Sequence, residues 1–191
     1  LKLLADVGLV GLPNAGKSTF INAVTNAQAK VGAYAFTTLR PQLGVVSHKG
    51  REFVVADIPG LIEGAAEGAG VGDRFLGHIE RCEVLLHLVD ANDEDVATSY
   101  RIVRDELDGY GAGLADKPVV VALNKVDTLD EELIAALSAE LAVASGLPVL
   151  PLSAAGGTGI EPVLDQLLER LGDAAEIADE EAEEARPWSP L

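Results

Sequence analysis

Short apolar runs of strand length alternate along the chain with longer stretches in which apolar residues recur at helical spacing. This alternation is typical of a parallel sheet whose two faces are both covered by helices. Five of the six runs are strongly apolar, as expected of strands that are buried on both sides. The strand candidates are Asp6 to Val10, Leu43 to Ser47, Phe53 to Asp57, Val84 to Asp90, Val119 to Asn124 and Val149 to Leu152.

The helix candidates each follow a strand or a turn rich in Gly, Pro or Asp. They are Lys17 to Thr25, Asp73 to Cys82, Asp95 to Tyr110, Asp130 to Ser145 and Gly159 to Leu171. Only His48 to Glu52 separates the second strand from the third, which is too short for a crossover helix. These strands should form a hairpin, so the pattern predicts an α/β fold with a six-stranded, mostly parallel sheet and one antiparallel edge strand.

Three segments interrupt the alternation. Ala27 to Pro41 is a long connection, and Pro59 to Gly72 contains five glycines. Connections of this length in a compact domain are usually functional or mobile, and glycine gives the backbone conformational freedom. The acidic stretch from Asp173 to Leu191 cannot bury enough surface to order itself. We therefore expect a folded domain over residues 1–172 and an acidic tail over residues 173–191 that is disordered or is ordered only by a partner.

The charge of the chain limits its partners. It has 14 Lys and Arg against 31 Asp and Glu, a formal charge of −17, of which the tail contributes −6 and the remainder −11. This balance excludes general, non-specific binding of nucleic acid, which depends on clustered Lys and Arg. No apolar run approaches the roughly 20 residues of a membrane-spanning helix. We expect a cytoplasmic monomer without a membrane span and, because the chain starts at Leu1 and lacks Met, a piece of a longer protein.

The segment from Gly11 to Ser18 fits G-x-x-x-x-G-K-[ST] and lies between an apolar strand and a helix, the context that this motif requires. Its backbone N–H groups and the N-terminus of the following helix would hold phosphate. Lys17 would reach the β- and γ-phosphates, and Ser18 would bind Mg²⁺. A triphosphate can therefore bind despite the acidic composition.

A second candidate follows the third strand. Asp57 stands at the carboxyl end of that strand, where ligands bind in parallel sheets, and it could hold Mg²⁺ through water. Gly60 has no side chain to block its backbone N–H from approaching a γ-phosphate. Two other polar residues, Cys82 and His87, adjoin or lie within apolar strands and are predicted to be packed rather than reactive.

A third candidate, Asn124 to Asp127, follows the fifth strand and reads N-K-x-D. A carboxylate at Asp127 would accept hydrogen bonds from the two adjacent donors of guanine, whereas adenine presents an acceptor at one of these positions. An ATP-dependent enzyme is therefore disfavoured. Asn124 would tie this loop to the phosphate loop, and the stem of Lys125 would lie on the base. After the last strand, backbone N–H groups of Ser153, Ala154 and Ala155 could reach the base oxygen.

In this order the motifs resemble those of Ras-like GTPases, and three segments narrow the resemblance to the Obg family. They are Gly8 to Phe20, Phe36 to Leu39 and the glycine-rich stretch Asp57 to Gly70. The resemblance covers roughly Ala5 to Leu171 and implies a bacterial GTPase that binds GTP and GDP with Mg²⁺. It further implies a role in assembly of the large ribosomal subunit, contacted mainly through an N-terminal region absent from this chain, and a response to the stringent-response alarmone (p)ppGpp.

The resemblance also assigns roles to residues. Thr38 would join Ser18 and Asp57 in binding Mg²⁺, and it would meet the γ-phosphate as part of a first switch loop. The catalytic set would be Lys17, Thr38, Gly60 and Asn14. The residues implied to contact the nucleotide are Gly11, Leu12, Pro13, Asn14, Ala15, Gly16, Lys17, Ser18, Phe36, Thr37, Thr38, Leu39, Arg40, Asp57, Ile58, Pro59, Gly60, Asn124, Lys125, Val126, Asp127, Ser153, Ala154 and Ala155.

One departure from the Ras pattern affects the mechanism. Leu61 occupies the position at which Ras-like enzymes carry a glutamine that orients the attacking water, and leucine cannot do this. The family resembles other GTPases with an apolar residue here, several of which use K⁺ held partly by an asparagine of the phosphate loop, which corresponds to Asn14. We therefore expect slow hydrolysis that K⁺ or a ribosomal partner accelerates. The alternative is a module that senses guanine nucleotides or alarmone with negligible hydrolysis. Glu63 and Glu67 are weaker candidates for positioning water.

Overall fold

The structure is a computed structural model that describes residues 5–25, 30–31, 42–57, 82–111 and 113–184. These residues form a seven-stranded sheet with the spatial order β2-β3-β4-β1-β5-β6-β7. The strands are β1 (Val7–Val10), β2 (Lys30–Val31), β3 (Gln42–His48), β4 (Arg51–Asp57), β5 (Val84–Asp90), β6 (Val119–Asn124) and β7 (Val149–Pro151). All six predicted strands are present, and the two-residue β2 is an addition.

Strand direction follows the prediction. The pairings from β4 through β1, β5 and β6 to β7 are all parallel, and β3 is antiparallel to β4. The turn between β3 and β4 consists of Lys49 and Gly50, which both have positive φ (48° and 75°). Two consecutive residues of this conformation form the tight turn that matches the twist of a hairpin. The additional β2 pairs antiparallel with β3 and forms the edge of the sheet.

Within the described residues, four α-helices cover the sheet. They are α1 (Lys17–Val24), α2 (Val96–Tyr110), α3 (Glu131–Ser145) and α4 (Ile160–Glu184). The carboxylates of Asp95 and Asp130 accept hydrogen bonds from the backbone N–H of Thr98 and Leu133, both at 2.8 Å, which explains why α2 and α3 begin where they do. The predicted helix from Asp73 lies outside the described residues except for its last residue, Cys82.

The apolar side chains alternate between the two sheet faces. On one face, Leu86 and Leu88 of β5 pack in a core cluster with α1 and α4. On the other face, Leu85 and Val89 belong to clusters that include residues of α2 and α3. The central strands are therefore buried on both sides, as their apolar runs predicted. No helix within the described ranges is long and apolar enough to cross a membrane.

The structure corrects one prediction. Residues from Asp173 onward were expected to be disordered, but α4 continues to Glu184. Alanine and glutamate dominate this stretch, and both have high intrinsic helix propensity. The acidic composition was a poor guide because the helix only has to continue from a packed turn, which removes the cost of nucleation. Residues 185–191 lie outside the described residues, and the domain boundary at residue 172 stays a prediction.

The two polar residues predicted to be packed are buried. Cys82 is 3% exposed, and burial raises the pKa of its thiol to about 12. His87 is 1% exposed and stacks on Tyr100 with a ring-centroid separation of 4.7 Å. Burial, with smaller contributions from the positive charges of Arg104 and Lys17, lowers the pKa of His87 to about 3. His87 is thus a neutral core residue near neutral pH.

Candidate nucleotide site

The carboxyl ends of the parallel strands β4, β1, β5, β6 and β7 lie at one edge of the sheet. The loops that leave this edge after β1, β6 and β7 carry candidate residues, and Asp57 ends β4. Ligands of doubly wound α/β proteins bind outside this edge. The topology therefore brings together motifs that are more than 100 residues apart in sequence.

The phosphate loop connects β1 to α1 in a conformation that depends on its glycines. A Cβ atom at Gly11 would stand 2.5 Å from the carbonyl oxygen of Leu88 on the adjacent strand, so no larger residue fits there. Asn14 and Gly16 both have positive φ (68° and 96°), which turns the chain sharply into the helix. No side chain among the described residues caps the N-terminus of α1. Its first N–H groups therefore face the loop, as phosphate binding requires.

Lys17 folds back over this loop. Its Nζ donates hydrogen bonds to the carbonyl oxygens of Gly11 at 3.0 Å and Leu12 at 3.2 Å. The ammonium is therefore held next to the backbone of the loop that the motif assigns to phosphate binding. This position provides a local positive charge in a chain of net charge −17.

Ser18 and Asp57 meet although they belong to different elements. β4 lies beside β1, with Asp57 paired to Leu9, and the Ser18 hydroxyl donates to Oδ2 of Asp57 at 3.1 Å. Within the described ranges, the other carboxylate oxygen, Oδ1, is buried without a hydrogen-bond partner. Burial raises the pKa of Asp57, and the charge of Lys17 and the hydrogen bond from Ser18 oppose only part of that rise.

This pair fits a hard divalent cation. An orphaned carboxylate oxygen next to a hydroxyl supplies the oxygen ligands that Mg²⁺ prefers, and it leaves most of the coordination sphere to water and phosphate. A bound cation would also relieve the cost of the unpaired Oδ1. Within the described residues no group of three or more His, Cys, Asp or Glu side chains forms a metal cluster, so any cation here relies on few protein ligands.

Asn124 joins three loops at the centre of the site. This side chain is 1% exposed, and its Nδ2 donates to the carbonyl oxygen of Ala15 at 2.9 Å. Its Oδ1 accepts from the backbone N–H of Ala154 at 3.1 Å. The tie between the base loop and the phosphate loop that the sequence predicted is therefore present, and the same amide also holds the loop after β7.

Asp127 is held by a contact that the sequence did not predict. Its Oδ1 accepts a hydrogen bond from the Ser153 hydroxyl at 2.7 Å, and Asp127 itself is exposed. Ser153 is fully buried, and its Oγ also accepts from the backbone N–H of Gly156 at 2.9 Å. The sequence assigned only the backbone of Ser153 to a ligand. Its side chain instead orients the carboxylate that would read the base.

The sequence also missed Asp90. Its Oδ2 accepts from Lys125 Nζ at 2.6 Å, which fixes the end of the lysine side chain. Burial acts to raise the pKa of Asp90, but hydrogen bonds from Lys125 and Asn92 outweigh it, and the pKa lies below its ordinary value. Asp90 ends β5 and pairs in register with Asn124. A polar residue at the end of a central strand, beside the base loop, was the signal available in the sequence.

The structure brings together the candidates on its described loops: the segment from Gly11 to Ser18, Asp57, the segment from Asn124 to Asp127, and the segment from Ser153 to Ala155. Other candidates lie outside the described residues. They are Phe36, Thr37, Thr38, Leu39, Arg40, Ile58, Pro59 and Gly60, together with Leu61, Glu63 and Glu67.

The fold and these converging loops define a nucleotide-binding domain of the P-loop GTPase class. The family model described as "50S ribosome-binding GTPase" matches residues 6–125. The chain therefore belongs to this family.

Individual relatives agree with the Obg resemblance found from the motifs. The whole chain is 80% identical to part of GTPase Obg from Sphingopyxis alaskensis and 68% identical to part of GTPase Obg from Rhizorhabdus wittichii. In both cases it covers 55% of the relative, so the chain spans about half the length of these curated proteins. The predicted resemblance is confirmed, with substantial sequence of the relatives unmatched.

Solved structures support the fold. A putative nucleolar GTP-binding protein 1 from Plasmodium falciparum has a TM-score of 0.65 and 22% identity, covering 93% of this chain and 92% of that one. The G domain of the T. maritima iron transporter FeoB has a TM-score of 0.61 and 22% identity, covering 88% of this chain and 97% of that one. At this identity the similarity establishes the architecture alone.

Proposed function

We propose that the chain binds guanine nucleotides with Mg²⁺ and slowly hydrolyses GTP to GDP and phosphate, as a conformational switch. The observation that carries this proposal is the pair of hydrogen bonds made by the buried amide of Asn124 to Ala15 and Ala154. Through them Asn124 connects the phosphate loop, which contains Lys17, with the loop that carries Asp127. The first loop is suited to phosphate and the second to guanine. A site with both properties fits a guanine nucleotide.

Guanine selectivity is tested by nucleotide titration. The chain should bind GDP and GTP much more tightly than ATP, because adenine would leave the Asp127 carboxylate without its donors. Asp127→Asn should shift the preference toward XTP, whose base presents an oxygen where guanine has its amine. Displacement of bound GDP by ATP as effective as that by GTP would contradict the assignment.

The proposed Mg²⁺ role rests on Ser18 and the orphaned Oδ1 of Asp57, with Thr38 added by the family resemblance. When bound, the cation would neutralise charge on the β- and γ-phosphates. The protein's part is to hold the hydroxyl and carboxylate in place. Titration of GDP affinity against Mg²⁺ should show a dependence that Ser18→Ala weakens, whereas Ser47→Ala, a change at a hydroxyl on β3, should leave it unaltered.

Hydrolysis is proposed to be slow without help because Leu61 cannot orient water. Lys17, Thr38 and Gly60 would stabilise the phosphoryl group, and Asn14 would help to hold K⁺. Asn14 is an exposed residue of the phosphate loop, so its side chain is accessible to an ion from solvent. Single-turnover hydrolysis should be faster in K⁺ than in Na⁺ buffer, and Asn14→Ala should reduce that difference. An unchanged K⁺ response in this variant would remove the ion from the proposal.

A second candidate function is a sensor that binds GTP, GDP or (p)ppGpp with negligible turnover. Leu61 favours it, since the water-orienting glutamine is missing. The three residues assigned to Mg²⁺ (Ser18, Thr38 and Asp57) favour hydrolysis, because a protein that only senses base and phosphate does not need a complete set of Mg²⁺ ligands. The same single-turnover experiment separates the two, since a sensor would leave GTP intact in both buffers.

The biological setting is proposed from the family. Its description names the 50S ribosomal subunit, and we infer a cytoplasmic role in assembly of that subunit under control of nucleotide and stress signals. The acidic chain itself is unsuited to direct RNA contact. Co-sedimentation with 50S subunits should therefore be weak for this chain and strong for a protein of the relatives' full length, in a nucleotide-dependent manner.

A further inference from the structure

The loop between β5 and α2 makes a set of polar contacts at one side of the base loop. Asp90 uses both carboxylate oxygens: Oδ2 accepts from Lys125 Nζ at 2.6 Å, and Oδ1 accepts from the backbone N–H of Asn92 at 2.9 Å and from its Nδ2 at 3.1 Å. The backbone N–H of Ala91 donates to the carbonyl oxygen of Asn124 at 2.8 Å. The loop is thus attached to both the first and the second residue of the base motif.

Asn92 extends these contacts to the far end of the base loop. Its Oδ1 accepts from the Thr128 hydroxyl at 3.2 Å. Thr128 is the last residue of a short 3₁₀ turn, Val126–Thr128, whose middle residue is Asp127. Ser153 holds Asp127 itself, from the loop after β7. The turn that carries the candidate base-reading carboxylate is therefore held by the β5–α2 loop as well as by Ser153.

Apolar packing holds only the first residue of the turn, because Val126 packs against a core cluster whereas Asp127 and Thr128 are exposed. None of its three residues is buried. Lys125, immediately before it, has a φ of 67°, a left-handed conformation that is unfavourable for a non-glycine residue. The exposed end of such a turn, Asp127 and Thr128, keeps its position only where polar contacts determine it. The contacts from Asp90, Asn92 and Ser153 meet that requirement.

We propose that Asp90 and Asn92 are positioning residues for guanine recognition, which hold the segment from Lys125 to Thr128 so that Asp127 meets both donors of the base. The proposal rests on the guanine site put forward above and extends it to two residues that would not touch the nucleotide. Asp90 acts by fixing the Lys125 ammonium, and Asn92 acts by fixing Thr128.

Loss of Asp90 or Asn92 should weaken recognition of the base and leave binding of the phosphates intact. The phosphate loop has its own support, since Lys17 binds Gly11 and Leu12 directly. A two-point contact with guanine is sensitive to small shifts of the carboxylate, because one of its two hydrogen bonds is lost when the angle changes. Inosine diphosphate, which lacks the exocyclic amine, offers only one of these donors and therefore reports the second contact.

The experiment measures affinity for GDP and for inosine diphosphate in the 191-residue chain and its variants. Asp90→Asn and Asn92→Ala should each weaken GDP binding about tenfold and inosine diphosphate binding much less, so that the preference for GDP shrinks at least threefold. Asn92 is exposed, so its truncation is mild. Glu94→Gln, at an exposed residue of the same loop, removes the same charge as Asp90→Asn and should leave the preference unchanged.

A double-mutant cycle tests whether Asp90 acts through Lys125. Lys125→Met keeps most of the stem but removes the ammonium, so Asp90→Asn should have a smaller effect in that background than in the parent. Urea unfolding of each variant separates lost positioning from lost stability: a destabilised fold would weaken both nucleotides equally and keep their ratio.

The outcomes distinguish the two proposals. If the parent bound guanine and adenine nucleotides equally, the guanine site would fail and this role with it. If the parent preferred guanine but Asp90→Asn and Asn92→Ala kept the parental ratio of GDP to inosine diphosphate affinity, the positioning role alone would be overturned. Equal effects of Asp90→Asn with and without the Lys125 ammonium would overturn its route through Lys125.

Discussion

At the scale of single residues, Gly16 lies where the phosphate loop contacts Asn124 of the base loop. A Cβ at this position would lie 2.2 Å from Nδ2 of Asn124, which is the atom that donates to Ala15. Gly16 also has a φ of 96°, which disfavours any L side chain. The glycine of the motif is therefore required here by the base loop as well as by phosphate.

Gly16→Ala should displace the Asn124 amide and disrupt both loops. We expect the free energy of unfolding to fall by about 2–4 kcal/mol, since a buried amide loses hydrogen bonds and the backbone is strained, and nucleotide affinity should fall at least tenfold. Urea unfolding and GDP titration measure the two effects. Gly50→Ala is the matched control, because its φ is 75° but nothing lies within 4 Å of the added Cβ; it should lose about 1 kcal/mol and keep its GDP affinity.

The buried His87 should make stability depend on pH. Its pKa of about 3 in the folded chain lies below the ordinary 6.5, so the unfolded chain binds more protons between these values. The stability contributed by neutral His87 is therefore complete above about pH 6.5 and is lost as the pH falls toward 3. Its contribution to the slope is at most about 1.4 kcal/mol per pH unit.

His87→Phe provides the comparison, because phenylalanine retains an aromatic ring against Tyr100 but cannot be protonated. The difference in unfolding free energy between variant and parent should grow in favour of the variant as the pH is lowered from 7 to 5. Carboxylates such as Asp90 titrate in both proteins and cancel from this difference. A difference that stays constant with pH would show that His87 does not titrate as its burial requires.

At the scale of secondary-structure elements, the final part of α4 is a helix with unfavourable surface charge. Glu176 and Glu180 are exposed and four residues apart, so they face each other across one turn. The last turn contains no basic residue, and acidic groups there also oppose the helix dipole. We expect this part of α4 to be the least stable portion of the helix and to depend on ionic strength.

Glu180→Lys should therefore increase helix content. It replaces a repulsive pair by a Glu–Lys pair in the favourable orientation. At low salt, far-ultraviolet circular dichroism should show more helix in the variant than in the parent. Added salt should increase the helix content of the variant less than that of the parent. The free energy of unfolding of the core should change by less than about 0.5 kcal/mol.

Glu140→Lys is the control for the overall change in charge, since Glu140 is exposed on α3 and has Ala136 and Ala144 as its neighbours four residues away. If it raised helix content as much as Glu180→Lys, the local pair would not be the cause.

The sequence predicted the elements whose pattern is set by local burial. The strand Val84–Asp90 was predicted with its observed bounds because every residue before its last is buried, and the start of α2 was marked by its Asp95 cap. The two-residue strand Lys30–Val31 could not be predicted, because two residues carry no period and such a strand exists only through pairing with β3. The extension of α4 was missed because acidity was given more weight than helix propensity.

In the candidate site, too, features with a local sequence pattern were predicted and contacts between distant residues were not. The role of Asn124 in connecting the base loop to the phosphate loop could be predicted, because the motif places this residue at the end of a strand beside the phosphate loop. The contacts of Ser153 with Asp127 and of Asp90 with Lys125 join residues 26 and 35 positions apart. Side-chain pairings of this kind depend on strand order and on the conformation of Lys125, neither of which has a local signature.

At the scale of the whole molecule, the net charge and the local field oppose each other. The chain carries −17, while the candidate phosphate site gathers Lys17, the N-terminus of α1 and backbone N–H groups. A nucleotide is therefore repelled at long range and attracted at contact. The long-range part is screened over a Debye length of about 8 Å at physiological ionic strength, whereas partly buried contacts are screened much less.

This balance predicts that GDP should associate faster as salt is added. Stopped-flow measurement with a fluorescent GDP analogue, at fixed Mg²⁺, should show the association rate constant rising severalfold as ionic strength increases from about 0.01 to 0.15 M, over which the Debye length shortens from about 30 to 8 Å. The chain ending at Gly172 lacks the −6 of the acidic segment, so its rate constant should rise less. A rate constant that falls with added salt in both chains would mean that the local positive field already controls the approach. An equal salt dependence in the two chains would mean that the acidic segment has no influence on nucleotide capture.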